Sequence, residues 1–217
     1  MTSRAKALNH FKRVDPRLYE ATRAHHQALP LELPAKRTRD ELFSALVSIV
    51  VSQQLGTAAA DSIFARVKTA CGGRITSQAV AKVSERTLRK AGLSGAKIKA
   101  IKTMTQCVKS GALDLISLKR VPEDEASARL TALWGLGPWS VEMFMLFALG
   151  RADVFSPGDL GLARSIELIY GLPKNTDRTS LLAYSGTWSP YRSWACILLW
   201  RSRDAASPPP LTKGRHR

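Results

Sequence analysis

The most constraining feature of this sequence is a short interruption, Gly-Leu-Gly-Pro at 135–138, between two apolar segments. Leucine and tryptophan recur at helical spacing over 130–134, and a second apolar segment runs from Trp139 to about Leu149. Glycine adopts backbone angles that are closed to other residues, and proline suits the first turn of a helix. The interruption therefore predicts two helices joined by a tight hairpin.

The helix after this hairpin is expected to begin with backbone N–H groups that lack partners within the helix. Such a helix start can hold a phosphate through those donors and through the positive end of the helix dipole. Further along the chain, Asp159 follows a Ser-Pro-Gly turn and precedes a helical segment that starts at Leu160. Its carboxylate is a candidate catalytic group, and the alternative is an ordinary helix N-cap.

The charge of the chain points to a polyanionic partner. Lysine and arginine number 33 against 17 acidic residues, which gives a net charge of +16 and favours nucleic acid binding. The three cysteines are widely scattered, so they form neither a metal-ligand cluster nor a disulfide framework. No apolar run reaches the roughly 18 residues of a membrane span. These features predict an intracellular protein without a membrane segment.

Helical periodicity recurs along the chain without a convincing β-strand alternation, so the predicted fold is all-α, with two helical lobes and a cleft between them. A basic, proline-punctuated segment at 1–37 is expected to hold one short helix, Pro16 to His26, with both of its histidines at the surface. The helical core is placed at 38–202. The proline-rich basic tail at 203–217 is predicted to be disordered.

A polar loop, Ser-Gln-Gln-Leu at 52–55, separates two hydrophobic segments that predict helices over Arg39 to about Val51 and Thr57 to about Ala70. A capping box of threonine and glutamate fits the start of the first helix. Judged from the residues alone, the loop is slightly better explained as a plain turn than as a binding element. A weaker glycine interruption at 92–95 is open to two interpretations, a second phosphate-binding hairpin or an ordinary helical turn.

Four ordered blocks of this sequence resemble the helix-hairpin-helix DNA glycosylases, and within them the alkylated-base branch, 3-methyladenine DNA glycosylase II. The blocks are SQQL at 52–55, GLGPWS at 135–140, DVFSPGD at 153–159 and PYRSWA at 190–195 with Trp200. The resemblance covers roughly residues 40 to 202. It implies the two-lobed helical fold of that superfamily and hydrolysis of the N-glycosidic bond of alkylated purines in base excision repair. The implied substrates are 3-methyladenine and 7-methylguanine, with 1,N6-ethenoadenine and hypoxanthine as further candidates.

The resemblance also implies which residues carry the reaction. Asp159 would stabilise the positive charge that develops on the deoxyribose, or activate water, as the bond breaks. Trp139, Met143 and Trp200 would line the base pocket, because a cationic alkylated base is attracted to aromatic faces by roughly 0.5 to 2 kcal/mol each. Without the resemblance, core packing explains the two tryptophans equally well.

In this family, the loop equivalent to 52–55 presents a side chain that fills the gap left by the extruded base. Gln54 aligns best with that side chain, Leu55 is the alternative, and Gln53 is assigned to DNA binding on the same loop. The hairpin residues that would grip the DNA backbone are Gly135, Leu136, Gly137, Pro138 and Ser140. Arg164 is assigned to a phosphate contact, with an ordinary surface role as an equal alternative.

Relatives that also nick DNA carry a lysine where this chain has Trp139, so a monofunctional hydrolase that uses water is expected. No iron–sulfur centre, metal or other cofactor is expected, although a monovalent cation at the hairpin is compatible with bound DNA. The expected partner is double-stranded DNA with damaged bases, bound by a monomer in the bacterial cytoplasm or nucleoid, or in a eukaryotic nucleus. Gly158 stands where some relatives carry a second acid, which keeps a non-catalytic DNA-binding protein open as the alternative.

Overall fold

The structure is a computed structural model that describes residues 1–34 and 36–203, and residues 204–217 of the predicted tail lie outside that description. Within the described ranges the fold is all-α, as predicted, and contains no strand. The helices are α1 Ser3–Val14, α2 Pro16–Ala21, α3 Arg39–Ser52, α4 Thr57–Ala70, α5 Ser77–Lys82, α6 Glu85–Lys90, α7 Gly95–Ser110, α8 Glu123–Thr131, α9 Pro138–Phe147, α10 Leu160–Tyr170, α11 Arg178–Gly186 and α12 Arg192–Arg203. None of these described helices is both long enough and apolar enough to span a membrane.

The described helices form two compact units. The first unit is built from both ends of the chain, Met1–Pro34 and the residues from Gly150 onward, and contains α1, α2 and α10 to α12. The second unit, Ala35–Leu149, contains α3 to α9. The N-terminal residues, predicted as a separate segment, thus belong largely to the first unit, where Phe11 and Leu18 are fully buried.

The N-terminal part of the first unit holds more helix than the sequence predicted. In place of one helix from Pro16 to His26, the structure has α1, α2 and a 3-10 helix at Arg23–Ala28. His26 is buried, with a ring nitrogen 3.2 Å from the Thr22 hydroxyl and its ring packed against Tyr19. Its predicted surface location is therefore wrong. Burial lowers the pKa of His26, which favours the neutral imidazole.

Asp15 connects these N-terminal helices to the C-terminal part of the same unit. Its Oδ1 accepts a hydrogen bond from the Leu18 N–H at 2.9 Å and thereby caps α2. Its Oδ2 accepts hydrogen bonds from the Trp188 indole, at 2.7 Å, and from the Tyr170 hydroxyl. Burial, together with this hydrogen bond and the Asp15 charge, raises the pKa of Tyr170, so the phenol remains a donor. One polar cluster thus joins segments that are far apart in the sequence.

Helix α3 is the centre of the second unit, with α4, α7 and α9 packed against it. The predicted capping box is confirmed, because Thr38 and Glu41 exchange hydrogen bonds at the start of α3. Its apolar circumference is also confirmed, and the buried side chains are Leu42, Phe43, Leu46, Val47, Val50 and Val51. At the glycine interruption of 92–95, the Ser94 hydroxyl accepts a hydrogen bond from the Lys97 N–H and caps α7, which fits the ordinary helix start.

Candidate active site and DNA-binding elements

The hairpin at 135–138 joins α8 to α9, as the sequence predicted. Helix α9 begins at Pro138, and Gly137 is its N-cap. The side chain of Leu136 is buried, so the DNA contact predicted for this residue cannot involve its side chain. Gly135, Gly137 and Pro138 are exposed. The accessible surface of the hairpin is therefore largely backbone.

The two hairpin glycines serve different purposes. Gly135 has a φ of +90°, and a Cβ atom built on it would lie 2.5 Å from the Ala100 Cβ of α7. The fold itself requires glycine there. Gly137 has an ordinary φ of −86°. Within the described residues, no neighbouring heavy atom lies within 4 Å of a Cβ built on Gly137, so the space beside its backbone is open to an external group.

Helix α9 starts without a side-chain cap, as do α4 and α8. In the same unit α3, α5, α6 and α7 are capped by threonine or serine hydroxyls. Gly137 has no side chain that could cap α9. The first turn of α9 therefore presents backbone N–H groups and the positive end of a helix dipole at the hairpin, an arrangement that suits an anion.

The loop at 52–55 is bonded directly to the hairpin within the second unit. The side-chain amide of Gln53 donates hydrogen bonds to the Gly135 carbonyl and to the Ser140 hydroxyl, both at 2.9 Å. Ser140 is only 3% exposed, because it lies in the first turn of α9 against this amide. Gln53 and Ser140, both predicted to bind DNA, thus contact each other within the protein, and their DNA contacts stay predictions.

Gln54 and Leu55 lie exposed on the same loop. Gln54 adopts a φ of +58°, which is a left-handed conformation, and Leu55 is 39% exposed. A left-handed residue other than glycine costs about 1 to 3 kcal/mol and often marks a functional segment. Both residues therefore remain candidates for the gap-filling side chain.

Two of the three predicted pocket residues lie in the second unit. Trp139, in the first turn of α9, is half-buried. Met143, one turn further along, is only 4% exposed, because α9 is apolar around most of its circumference and packs against α3 and α8. Met143 therefore belongs to the core of this unit, contrary to its predicted place in a pocket wall.

Asp159 lies in the first unit, at the start of α10, and is half-buried. Its Oδ1 accepts hydrogen bonds from the Leu162 N–H and from the Trp200 indole N–H, both at 2.9 Å. The alternative role as an N-cap is thus real. Both of these bonds are accepted by the same carboxylate oxygen.

Trp200 is only 9% exposed and meets Asp159 through its indole N–H. This contact differs from the predicted one, in which the face of the ring would stack on a base. Gly161 makes the contact fit, because a Cβ atom at 161 would lie 2.9 Å from the Asp159 Oδ1 and 3.2 Å from the Trp200 ring. Sequence reasoning missed Gly161, although a glycine in the first turn of a helix is a usable signal.

Long-range contacts of α12 set the position of Trp200. At the start of the helix, Asp153 binds the Arg192 guanidinium through both carboxylate oxygens, at 2.9 and 3.1 Å. Near its end, the Ser165 hydroxyl of α10 donates a hydrogen bond to the Leu199 carbonyl at 2.9 Å. Helices α10 and α12 are thereby fixed to each other where Trp200 reaches Asp159.

Replacing Asp153 with asparagine should destabilise the protein at neutral pH and much less in acid. Burial pushes the pKa of the Asp153 carboxyl up, but hydrogen bonds from Arg192 and Ser189 and the Arg192 charge outweigh it, so the pKa lies below its ordinary value. A depressed carboxyl pKa contributes stability above its unfolded value, about 4, and that stability disappears as pH falls through the folded value.

We expect Asp153→Asn to lower the free energy of unfolding by about 2 kcal/mol at pH 7, since both partners are partly exposed. The difference from the unmodified protein should shrink below about pH 4. Urea unfolding at a series of pH values measures both quantities, and a difference independent of pH would contradict the assignment.

Arg164 is engaged within the first unit. Its guanidinium donates hydrogen bonds to the Glu167 carboxylate at 2.7 Å and to the Asn175 side-chain oxygen at 3.0 Å. Glu167 is buried, so it requires this partner. The Arg164 side chain is nevertheless 42% exposed, so its phosphate contact stays a prediction beside the ordinary surface role.

The sequence of the chain matches the family described as HhH-GPD superfamily base excision DNA repair protein over residues 47–190. Among curated proteins, it is similar to DNA-3-methyladenine glycosylase 1 of Schizosaccharomyces pombe, with 30% identity over 171 residues that cover 77% of this chain and 75% of the relative. It is also similar to the DNA-3-methyladenine glycosylase of Saccharomyces cerevisiae, with 30% identity over 90% of this chain and 78% of the relative.

Solved structures to which this fold is similar also include 3-methyladenine DNA glycosylases. The structure is similar to that of the DNA-3-methyladenine glycosidase of Bacillus halodurans, with a TM-score of 0.75 and 35% identity, covering 94% of this chain and 90% of the other. It is similar also to the Schizosaccharomyces pombe 3-methyladenine DNA glycosylase in complex with abasic DNA, with a TM-score of 0.76 and 28% identity, covering 90% and 95%. The likeness therefore concerns the whole fold and not the hairpin alone.

Proposed function

The chain belongs to the HhH-GPD superfamily of base excision DNA repair proteins, in its 3-methyladenine DNA glycosylase branch, and from that premise we propose that it removes alkylated purines from duplex DNA by hydrolysing the N-glycosidic bond. The proposed substrates are 3-methyladenine and 7-methylguanine, with 1,N6-ethenoadenine and hypoxanthine as further candidates. The observation that carries the proposal is the Asp159 carboxylate, held at the start of α10 by the Leu162 N–H and the Trp200 indole.

The chemistry of the substrate explains why one carboxylate suffices. Alkylation at a ring nitrogen makes a purine cationic, so the base leaves readily without strong acid catalysis. The developing positive charge on the deoxyribose then needs stabilisation, which a fixed carboxylate supplies, and the same group can activate the attacking water. Two hydrogen bonds orient Asp159 before any substrate binds, so little reorganisation is required in the transition state.

The DNA-binding elements serve the extrusion of the base, which costs a few kcal/mol. We assign the backbone of the hairpin to a phosphate of the DNA, a contact that ignores sequence. The net charge of +16 adds affinity through the release of counterions. The exposed side chains of Gln54 and Leu55 are the candidates that occupy the vacated space in the base stack.

The proposed reaction is monofunctional. A glycosylase that also cleaves the strand needs an amine that forms a Schiff base with the sugar. At the position where such relatives carry lysine, this chain has Trp139, whose indole cannot serve as that nucleophile. Water and the Asp159 carboxylate are sufficient for the proposed hydrolysis, which needs no cofactor, and the protein is proposed to act as a monomer on duplex DNA.

The direct test is incubation of the purified protein with methylated duplex DNA and identification of the released bases. We expect release of 3-methyladenine and 7-methylguanine without strand cleavage by the protein. Duplexes that carry a single ethenoadenine or hypoxanthine then define the substrate range. Salt-sensitive binding without release of any base would reject the enzymatic proposal and support a non-catalytic DNA-binding protein.

Replacing Gly137 with alanine tests the hairpin contact separately from the fold. The backbone angles at 137 suit alanine and the added Cβ meets no neighbour, so the free energy of unfolding should change by about 1 kcal/mol or less. The Cβ would occupy the open space that we assign to a phosphate. Loss of one charge-assisted hydrogen bond then predicts about tenfold weaker binding to duplex DNA.

Fluorescence anisotropy at fixed salt measures the DNA affinity of Gly137→Ala, and thermal unfolding measures its stability. Unchanged affinity in a stable variant would show that the DNA backbone does not approach position 137.

A further inference from the structure

The backbone of the loop at 52–55 is hydrogen-bonded by Lys97 of α7, a residue that plays no part in the proposed chemistry. The Lys97 ammonium of α7 donates hydrogen bonds to the Val51 carbonyl at 2.7 Å and to the Gln53 carbonyl at 2.8 Å. Both carbonyls lie at the end of α3, where backbone acceptors lack helical partners and the helix dipole is negative. The lysine therefore closes the C-terminus of α3 at the point where the loop leaves it.

The contact of Lys97 with the Gln53 carbonyl matters because the residue after Gln53 has a strained backbone. Gln54 has a left-handed backbone with a φ of +58°. Within the loop, the Leu55 N–H donates a backbone hydrogen bond to the Ser52 carbonyl at 3.1 Å. A strained conformation of this kind persists only where its surroundings hold it. Lys97 binds the carbonyl of the residue directly before Gln54.

The side chain of Gln53 extends the support to the hairpin. Its amide donates to the Gly135 carbonyl and to the Ser140 hydroxyl, so the loop and the hairpin share one hydrogen-bond network. Helix α7 contacts both elements, because Lys97 binds the loop and Ala100, one turn along the helix, fits against Gly135. The loop and the hairpin thus both contact α7.

We infer that Lys97 and Gln53 are positioning residues, which hold the strained loop in the conformation that enters the DNA and tie it to the hairpin that grips the backbone. This inference rests on the proposed function, because it assigns the loop to the gap left by an extruded base. It predicts that removal of either support impairs extrusion of the base and leaves the hydrolytic step at Asp159 intact.

Extrusion and hydrolysis can be separated by the choice of substrate. A lesion paired with a normal base must be unpaired and unstacked before it reacts. A lesion opposite an abasic site lacks a pairing partner, so its extrusion depends less on a side chain that fills the gap. A variant defective in positioning should lose rate on the paired lesion and largely keep it on the lesion opposite an abasic site.

The test compares Lys97→Met with a matched control, Lys102→Met. Lys102 also lies on α7, and its ammonium also binds two backbone carbonyls, those of Val80 at 3.0 Å and Val83 at 2.6 Å, away from the loop. Each variant removes one positive charge and one pair of hydrogen bonds to carbonyls, and each keeps an unbranched apolar side chain. The two should therefore have similar stability.

Under single-turnover conditions, Lys97→Met should excise the paired lesion about tenfold more slowly, which corresponds to about 1.4 kcal/mol. On the lesion opposite an abasic site its rate should approach that of the unmodified protein, and Lys102→Met should match the unmodified protein on both substrates. Equal losses in the two variants, or an equal loss of Lys97→Met on both substrates, would overturn the inference.

Gln53→Leu provides a second test, which decides the matter if Lys97→Met fails to fold. It removes the two bonds to the hairpin and keeps the Lys97 contact, and we expect the same selective loss on the paired lesion. The unmodified protein distinguishes this inference from the proposed function. If it releases no alkylated base, the proposed function fails, whereas release combined with unselective variants refutes only the positioning role.

Discussion

Replacement of Asp159 with asparagine should slow the release of alkylated purines by about 10²- to 10³-fold and leave the fold intact. Asparagine is as good an N-cap as aspartate, and its side-chain oxygen can accept the same bonds from the Leu162 N–H and the Trp200 indole. What the substitution removes is the negative charge. The loss in rate therefore measures the electrostatic contribution of the carboxylate to the transition state.

Single-turnover kinetics on a duplex with one lesion give this rate, and the binding of an abasic duplex shows whether DNA recognition survives. Asp177→Asn is a matched control in the same unit, because Asp177 caps α11 through the Ser180 N–H at 3.0 Å. The control should retain the full rate. Should Asp159→Asn excise bases as fast as this control, the catalytic assignment of Asp159 would be wrong.

Replacement of Gly135 with alanine should cost about 2 to 5 kcal/mol of stability, which is the largest structural effect expected here. Two costs add. The new Cβ would collide with the Ala100 Cβ, 2.5 Å away, and alanine would be held at a φ of +90°. Because the Gly135 carbonyl also accepts the Gln53 amide, movement of the hairpin should disturb the loop at 52–55 as well.

Urea unfolding measures the effect, and two further variants separate the causes. Gly135→Ala combined with Ala100→Gly removes the collision and retains the backbone strain, so it should recover part of the stability. Gly137→Ala places a methyl group at the other hairpin glycine, where the fold leaves room for it. If Gly135→Ala proves as stable as Gly137→Ala, the close approach of α7 to the hairpin is not real.

The features that could be predicted from the sequence are those set by local chemistry. The hairpin follows from two glycines and a proline within four residues, and the capping box at Thr38 and Glu41 follows from side-chain spacing. Helix α1 was not predicted, because its buried side chains, Ala7 and Phe11, are covered only within a unit completed by residues beyond 149. No local pattern records such a partner.

Prediction of the candidate site has the same limit, because local motifs are visible in the sequence and long-range contacts are not. The motifs locate the loop, the hairpin and Asp159, but a motif does not record the direction in which each side chain points. Gln53 and Ser140 lie in two of the four blocks and hydrogen-bond to each other, and Met143, just beyond the second of these blocks, is buried. The supporting contacts of Lys97, and those of Asp153 with Arg192, join residues about forty positions apart, a pairing that a single sequence leaves open.

A first unit assembled from both ends of the chain has a consequence for biosynthesis. The second unit, 35–149, is continuous in the chain, whereas α1 and α2 must wait for α10 and α12 before the unit that covers Phe11 and Leu18 is complete. At roughly 5 to 20 residues per second, synthesis from the end of α2 to the end of α12 takes about 9 to 36 seconds. During it, α1 and α2 expose the apolar side chains of Phe11 and Leu18 on a basic segment, which is a form that chaperones would bind.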